Sequence, residues 1–310
     1  MRSFQVLNEQ EASQFLERGF VRVEGCFGRD VAERAMEEMW SRLGYDPADR
    51  STWADKSVHM PSLNRFEVKD FAPKAWAVAC DLVGGEERVK QPCCWGDGFI
   101  VNLGVRADQP WGPPSAASPG WHKDGDFFRH FLDSPEQGLL TFVLWTDVVH
   151  QGGATFVACD SVGPVARCLR ERPEGLLPGE FHFAALAQQC NDFIEATGRA
   201  GDVYFLHPFV LHATAQNVLR RPRVITNPLL SLNSPMRFDR DRLEDHSLVE
   251  RAVLHWLGGD RLPFTAAAAR ERVVPQREAR QAEMRAAEEA RLGERHAALG
   301  SFVGGKPSPG

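Results

Sequence analysis

Five short apolar runs in the middle of the chain limit the fold more than any other feature of the sequence. They are rich in β-branched and aromatic residues, are separated by Gly, Pro and Asp turns, and span residues 99–105, 139–149, 154–158, 202–208 and 223–232. Runs this short, bounded by turn residues, are typical of antiparallel strands in a sandwich or barrel. We therefore predict that a β core occupies about residues 95–235.

Helical segments flank this core. Residues 7–44 predict two helices around a short strand, with Asp30 as the N-cap of the second helix and Gly44 as its stop. Another helix is predicted at about 73–82, and a further one within the insertion at 164–199. The sequence thus predicts a mainly β fold with flanking helices.

The C-terminal part has a different composition. Residues 275–300 are rich in Ala, Arg and Glu, with many opposite charges spaced four apart, which favours a solvated surface helix. The alternative is an oligomerisation helix, through which the chain would form a homo-oligomer. We assign residues 1–265 to a single domain, and 266–310 to a helical extension that ends in a flexible tail.

Charge and composition exclude several classes of function. The net charge is -6 and the arginines form no basic stripe, so we expect no nucleic-acid partner. No stretch approaches the roughly 18 apolar residues that span a bilayer, and the first residues lack a secretory signal, so we expect no membrane partner. The seven cysteines follow neither a disulfide framework nor a metal-site spacing, which fits a cytoplasmic protein with reduced thiols.

The triplet His122-Lys123-Asp124 carries the strongest chemical signal. In an extended segment, residues i and i+2 point to the same face, so the imidazole of His122 and the carboxylate of Asp124 can converge on one point. Two imidazoles and one carboxylate on one face of an octahedral ion form the facial triad of non-haem Fe(II) sites. A second histidine is needed downstream, and the sequence offers His207 and His212.

An arginine follows these histidines at the start of an apolar run. 2-Oxoglutarate needs a cation that holds its distal carboxylate, and an arginine can do so through two hydrogen bonds. Strand alternation predicts that Arg223 points inward together with Ile225 and Asn227. Arg220 and Arg221 lie in the preceding turn and are expected to face water.

Together these motifs resemble the phytanoyl-CoA dioxygenase-like family of Fe(II)/2-oxoglutarate-dependent oxygenases. The resemblance covers roughly residues 7–232 and is carried by LNEQEASQFLERGFVRVEGCF, WHKDGD, LLTFVLWTDVVHQGGATFVACDS and GDVYFLHPFVLHATAQNVLRRPRV. The chain departs from the family at Cys159-Asp160-Ser161, where Pro-Gly-Ser-His is common. The resemblance implies a double-stranded β-helix core of the jelly-roll or cupin-like type.

The family spacing also implies which histidine completes the metal site. In the family, a small hydroxyl residue stands two positions after the distal histidine and an arginine eleven positions after it. His212, Thr214 and Arg223 match that spacing, so the resemblance assigns His212 as the third ligand. His207 would then have a structural or supporting role.

The resemblance implies a 2-oxoglutarate site and a reaction. Arg223 and Thr214 would bind the distal carboxylate, and Asn102 would add a polar contact, although a strand-end amide is the alternative for Asn102. Fe(II), 2-oxoglutarate and O2 would oxidise a C–H bond of a small-molecule substrate, with hydroxylation as the default outcome and release of succinate and CO2. The carboxylate of Asp124 argues against a halogenase, which needs a small residue there.

Four residues are candidate substrate contacts. Phe127, Arg129 and His130 follow the metal motif, and Trp145 lies on an apolar run of the core. The alternative is that the aromatic residues of this region pack the mouth of the barrel.

Two other classes of function stay open. One is a metalloenzyme of the same fold that does not use 2-oxoglutarate, in which case Arg223 would be a structural ion-pair residue. A non-catalytic binding or sensor protein is the other class, and it would be expected to lack one of the metal ligands.

Overall fold

The computed structural model describes residues 4–303, and for residues 294–303 it describes the backbone alone. The end of the predicted flexible tail, residues 304–310, lies outside the described residues. Within the described part, no helix is long and apolar enough to cross a membrane.

Helices cluster at both ends of the described chain and strands in its middle. The helices are α1 (Glu9–Arg18), α2 (Arg29–Leu43), α3 (Val68–Phe71), α4 (Pro73–Val83), α5 (Val162–Arg170), α6 (Phe183–Ala187), α7 (Leu248–Leu257) and α8 (Arg277–Val303). The strands are β1 (Phe20–Val23), β2 (Ser57–His59), β3 (Arg65–Glu67), β4 (Cys94–Gly96), β5 (Ile100–Asn102), β6 (Leu139–Leu144), β7 (Thr155–Ala158), β8 (Phe193–Ala196), β9 (Val203–Leu206), β10 (Leu211–Thr214), β11 (Arg223–Thr226) and β12 (Leu229–Leu230).

The strands form two principal antiparallel sheets. The larger has the order β1-β9-β6-β11-β5-β2, with β12 also paired to β6, and the smaller has the order β10-β7-β8. A two-residue bridge between His122 and His212 adds the metal-motif segment to the free edge of β10. A separate two-stranded sheet joins β3 and β4.

The chain alternates between the two principal sheets as it advances. β5, β6, β9 and β11 are adjacent in the larger sheet, whereas the His122 segment, β7, β8 and β10 are adjacent in the smaller one. Eight strands distributed in this way over two sheets form a jelly roll. The mainly β fold with a double-stranded β-helix core is therefore confirmed.

The interior strands show why the apolar runs predicted the core well. Every residue of β6, β7 and β9 is buried, so these strands are mostly apolar along their length and do not alternate between apolar and exposed polar residues. All five predicted runs contain strands. β8 lies in the insertion at 164–199, where we expected a helix, and α5 and α6 occupy other parts of that insertion.

Trp145, one of the predicted substrate contacts, lies in the aromatic core. Its ring centroid is 4.9 Å from that of Phe27 and 5.6 Å from that of Phe99, and its indole N–H donates to Thr226 Oγ1 at 3.1 Å. The indole finds both its apolar neighbours and its hydrogen-bond partner inside the core, which favours a packing role for Trp145 over the predicted substrate contact.

The N-terminal helices agree with the sequence except at one cap. Gly44 ends α2 with a left-handed φ of 71°, as predicted. The N-cap is Gly28 rather than Asp30. Asp30 lies inside the first turn and pairs with Arg34 at 2.9 Å, where its charge also favours the helix N-terminus.

One face of α8 is docked on its own chain instead of facing water. Glu288 is 3% exposed, and its carboxylate accepts from Arg42 Nε at 2.9 Å. Arg291 donates to the main-chain oxygen of Arg42, and Arg285 donates to that of Ser62. The expectation of a solvated helix holds only for its outer side. The composition of α8 did not reveal that Glu288 pairs with Arg42, a buried arginine of α2.

Candidate metal centre and adjoining cavity

The structure brings His122, Asp124 and His212 together at one point. Asp124 Oδ1 lies 3.7 Å from His122 Nε2 and 3.5 Å from His212 Nε2. One ligand atom from each residue lies within 4.8 Å of the other two. These separations suit three donors around a single first-row divalent ion.

Main-chain pairing sets the two imidazoles side by side. His122 N donates to His212 O at 3.0 Å, and His212 N donates to His122 O at 2.8 Å. The two ring centroids are 4.3 Å apart. Because Asp124 stands two residues after His122 in the extended segment, its carboxylate returns to the same side.

Hydrogen bonds behind the ligands aim their donor atoms inward. The Nδ1–H of His122 donates to Gly120 O at 2.8 Å, and Nδ1 of His212 lies 3.4 Å from Val210 O. Both contacts favour the tautomer whose Nε2 lone pair is free for a metal. Asn227 Nδ2 donates to Asp124 Oδ2 at 2.8 Å, which leaves Oδ1 facing the two imidazoles.

The protonation states also suit a metal. Burial opposes ionisation of Asp124, but the charge and hydrogen bond of His212, together with His122 and the Asn227 amide, hold its pKa below the usual range. Burial, followed by the neighbouring His212, lowers the pKa of His122. The ionised carboxylate of Asp124 and the neutral imidazole of His122 are forms that bind a divalent ion, and His212 supplies a third donor atom, so this donor set fits Fe(II).

Arg223 lies in the same cavity as a buried cation without a carboxylate partner among the described residues. Arg223 is the first residue of β11 and pairs in register with Asn102 of β5, and it is 2% exposed. Its Nε donates to Gly153 O at 2.5 Å, and its Nη1 reaches Ile100 O at 3.4 Å. Burial lowers the pKa of Arg223 to about 10. A buried guanidinium held only by main-chain oxygens is suited to receive an anionic ligand.

A cavity of about 400 Å³ joins the three metal ligands to Arg223. Its remaining lining comes from β2, the loop after the metal motif, the core strands and α8: His59, Met60, Gly98, Ile100, Lys123, Gly125, Asp126, Phe127, Phe142, Thr155, Ala213, Thr214, Ile225, Asn227, Leu229, Arg277 and Gln281. Ile225 and Asn227 line it with Arg223, as the predicted strand alternation requires.

Of the two other predicted co-substrate residues, Thr214 lies at the cavity and Asn102 does not. Thr214 lines the cavity at the end of β10. Asn102 does not line it: its Oδ1 accepts from Gly104 N and Val105 N, and its Nδ2 donates to Ala215 O. The structure thus favours the strand-end role for Asn102, because the following turn uses its amide.

Of the predicted substrate residues, Phe127 lines the cavity and Arg129 and His130 do not. Arg129 pairs with Glu271 of the C-terminal extension at 2.9 Å. His130 is buried, and its Nε2–H donates to Gly125 O at 2.6 Å. Both side chains are directed away from the cavity by partners that the sequence alone did not identify.

His130 belongs to a buried network behind the metal motif. Lys123 Nζ contacts His130 Nδ1 at 2.7 Å, Gln137 Oε1 at 3.3 Å and Asp124 O at 3.0 Å. Burial lowers the pKa of Lys123 to about 7, and burial and then Lys123 lower that of His130 well below its ordinary value. The network holds main-chain oxygens on both Asp124 and Gly125, so it fixes the loop that presents the carboxylate ligand.

His207, the other candidate for the distal ligand, is structural. It is completely buried; its Nδ1 accepts from Phe209 N at 3.1 Å, and its Nε2–H donates to Val249 O at 3.2 Å. Burial lowers its pKa to about 3. Both ring nitrogens are engaged, so neither is free for a metal.

Sequence reasoning did not identify several residues that line the cavity, among them Thr155, His59, Arg277 and Gln281. Thr155 is the register partner of Thr214, and His59 lies on β2 at the edge of the larger sheet. Arg277 and Gln281 come from α8. Alternation along 154–158 was the only local signal for Thr155, and no local signal pointed to the other three.

Comparison with known proteins yields distant structural similarity. No protein-family model matches the chain, and no curated protein matches it. The non-haem α-ketoglutarate-dependent carbocyclase SnoK from nogalamycin biosynthesis is 18% identical, with a TM-score of 0.45 over 73% of this chain and 84% of SnoK. EctD from S. alaskensis, solved with 2-oxoglutarate and 5-hydroxyectoine, is 17% identical, with a TM-score of 0.43 over 73% of this chain and 76% of EctD.

A third structure is similar at the same level. HygX from Streptomyces hygroscopicus, solved with nickel and 2-oxoglutarate, is 17% identical, with a TM-score of 0.38 over 73% of this chain and 88% of HygX. The descriptions of SnoK, EctD and HygX each name α-ketoglutarate or 2-oxoglutarate. Similarity at this level assigns neither a reaction nor a substrate to the chain.

Proposed function

We propose that this chain is a non-haem Fe(II)- and 2-oxoglutarate-dependent oxygenase that oxidises, and by default hydroxylates, a C–H bond of a small organic molecule. One observation carries the proposal: the facial set of His122, Asp124 and His212 shares a cavity with Arg223, a buried guanidinium without a carboxylate partner in the described chain. The cavity thus has donors for a divalent metal and a cation for an organic anion.

The three side chains on one face would hold Fe(II) and leave the opposite face for other ligands. Asn227 keeps the carboxylate of Asp124 oriented, and the main-chain oxygens behind the two imidazoles keep their Nε2 atoms inward. These hydrogen bonds hold the donor atoms of the three side chains toward one point.

The co-substrate would lie between the metal and β11. Arg223 would hold the distal carboxylate, and the hydroxyl groups of Thr214 and Thr155 are available on neighbouring strands. Phe142 and Ile225 provide apolar surface for the carbon chain. Asn102 has no place in this assignment, since its amide serves the adjacent turn.

Bound Fe(II) and 2-oxoglutarate supply the oxidising chemistry, in which O2 is consumed, succinate and CO2 are released and a substrate C–H bond is oxidised. The chain contributes orientation and shelter. Its three ligands would hold the metal, Arg223 would orient the distal end of the co-substrate inward, and Phe127 and α8 form part of the cavity wall. The seven cysteines are free, which fits the reducing cytoplasm that we propose as the compartment.

The structure disfavours both alternative classes. An enzyme of this fold that does not use 2-oxoglutarate would leave Arg223 as a structural ion-pair residue, yet no described carboxylate pairs with it. A non-catalytic relative would be expected to lack a ligand, yet all three are present with supporting hydrogen bonds.

The proposal is tested by two measurements on the purified protein. Calorimetry with Mn(II) should show that 2-oxoglutarate binds only after the metal, and that binding is lost in Asp124→Ala. With Fe(II) and O2, the wild type should slowly convert 2-oxoglutarate to succinate even without substrate, and Asp124→Ala should not. If metal-loaded wild type neither binds nor consumes 2-oxoglutarate, the proposal is wrong.

A further inference from the structure

The outer half of the cavity is built from three parts of the chain that are distant in sequence. β2 contributes His59, the loop after the metal motif contributes Asp126 and Phe127, and α8 contributes Arg277 and Gln281. The co-substrate assigned above uses the inner half, around Arg223. The outer half is therefore the space where the substrate must lie.

Asp126 and Arg277 form a bidentate ion pair in this outer half. Arg277 Nε lies 2.6 Å from Asp126 Oδ2, and Nη2 lies 2.8 Å from Oδ1. Nη1 of the same guanidinium donates to Gln281 Oε1 at 3.2 Å. These bonds use three of the five N–H groups of an arginine, so donors remain for a ligand.

The two cavity arginines are in different electrostatic states. Arg223 is buried without a described carboxylate partner, which suits an anionic ligand, whereas the charge of Arg277 is already balanced by Asp126. A second anion at Arg277 would meet the carboxylate of Asp126 and be repelled. A neutral group that both donates and accepts hydrogen bonds would be matched by the guanidinium, the carboxylate and the Gln281 amide together.

Contacts on both sides of Arg277 hold this wall in position. Before α8, Val273 N donates to Phe127 O, and Arg270 pairs with Asp133 at 2.6 Å. Further along α8, Glu288 is paired with the fully buried side chain of Arg42. α8 is thus anchored to the metal-motif loop at one end and to α2 farther along.

We propose that Asp126, Arg277 and Gln281 form the substrate-recognition subsite, and that the substrate presents a neutral, hydroxyl-bearing group to them. This inference depends on the proposed function only in placing the co-substrate at Arg223. It makes α8 a determinant of substrate choice, in addition to its structural contacts.

The test uses the Zn(II)-loaded protein, which binds ligands at the triad without turnover. Saturation-transfer NMR would be recorded with methyl glucoside and myo-inositol as neutral probes, and with glucuronate and benzoate as anionic probes. The neutral probes should bind the wild type, and their affinity should fall by about tenfold in Arg277→Met and in Gln281→Leu, as expected for the loss of roughly one hydrogen bond. Arg280→Met, exposed on the same helix and outside the cavity lining, is the control and should match the wild type.

Three results would overturn the subsite. They are preferential binding of the anionic probes, equal binding of neutral probes to both variants and the wild type, and no binding of any neutral probe. The circular dichroism of each variant must match that of the wild type, and Asp126→Asn supplies a third variant if one fails to fold. Calorimetry of 2-oxoglutarate on the same samples reports separately on the proposed function, because that ligand depends on Arg223.

Discussion

His122 and His212 exchange both of their main-chain hydrogen bonds, at 3.0 and 2.8 Å, across a bridge that joins the metal motif to the edge of β10. This pairing of two residues ninety positions apart turns two histidines into neighbouring ligands. His207, only five residues before His212, is directed into the core instead. The choice between the two downstream histidines therefore depends on which one pairs with residue 122.

Replacing each downstream histidine separates the two roles. We expect His212→Ala to weaken Mn(II) binding by more than about 100-fold, since loss of a direct ligand should exceed the 10- to 100-fold cost of losing an outer partner. His207→Ala should lower the melting temperature and leave Mn(II) affinity within a few-fold of the wild type. Calorimetric titration with Mn(II) measures both, and equal affinity in His212→Ala would show that the assigned ligand is wrong.

Arg223→Lys tests whether the forked geometry of the guanidinium matters or only its charge. We expect the dissociation constant for 2-oxoglutarate, measured with Mn(II) bound, to rise by roughly tenfold or more, because one of two charge-assisted hydrogen bonds is lost. Mn(II) affinity should not change. Arg220→Lys is the control, since Arg220 is exposed and pairs with Asp108; an unchanged constant for Arg223→Lys would contradict the assigned role.

His130→Phe tests the buried network behind the metal motif. The phenyl ring removes the acceptor for Lys123 Nζ and the donor to Gly125 O. We expect a loss of about 2 kcal/mol or more in the free energy of unfolding, since buried polar groups are left unpaired. Urea denaturation measures this loss, and weaker Mn(II) binding should accompany it. If stability and metal affinity both stay at wild-type values, the network does not position the loop.

His207 should make the stability of the protein depend on pH. Its pKa falls from 6.5 to about 3 on burial, so the unfolded chain binds a proton that the folded chain excludes between these values. The resulting loss in the free energy of unfolding is small above pH 6.5 and grows as the pH falls. It reaches about 2 kcal/mol at pH 5, since each pH unit below 6.5 contributes about 1.36 kcal/mol. His207→Gln, which can keep both hydrogen bonds, should lose that much less stability between pH 6.5 and 5. Urea titrations at both pH values measure the difference, and parallel losses would refute the assignment.

Glu288→Ala tests how α8 is anchored. Removing one partner of the buried pair leaves Arg42 with Asp97 alone, and we expect the docking of α8 to lose about 3 kcal/mol. Hydrogen exchange in α8 should then be faster, and trypsin should cut its arginines sooner. Glu289→Ala, exposed at the next position, is the control. Protection of α8 equal to that of the wild type would show that the pair does not hold the helix.

The sequence predicted features whose cause is local. The i, i+2 spacing of His122 and Asp124 fixes them on one face of an extended segment, and the same alternation turns Arg223, Ile225 and Asn227 into the cavity. The apolar runs predicted the strands because burial on both faces favours a mostly apolar sequence. Covalent geometry and strand periodicity operate within a few residues, so the sequence alone displays them.

The tertiary structure decided which distant groups meet. Asn102, His130 and Trp145 have side chains suited to a site, yet a nearby turn, a buried lysine and an aromatic cluster engage them elsewhere. Arg277 reaches Asp126 across about 150 residues. Such partners are set by the register and packing of whole sheets and helices. Each side chain adopts the contacts of lowest free energy among many that compete, and the local sequence does not show which contacts those are.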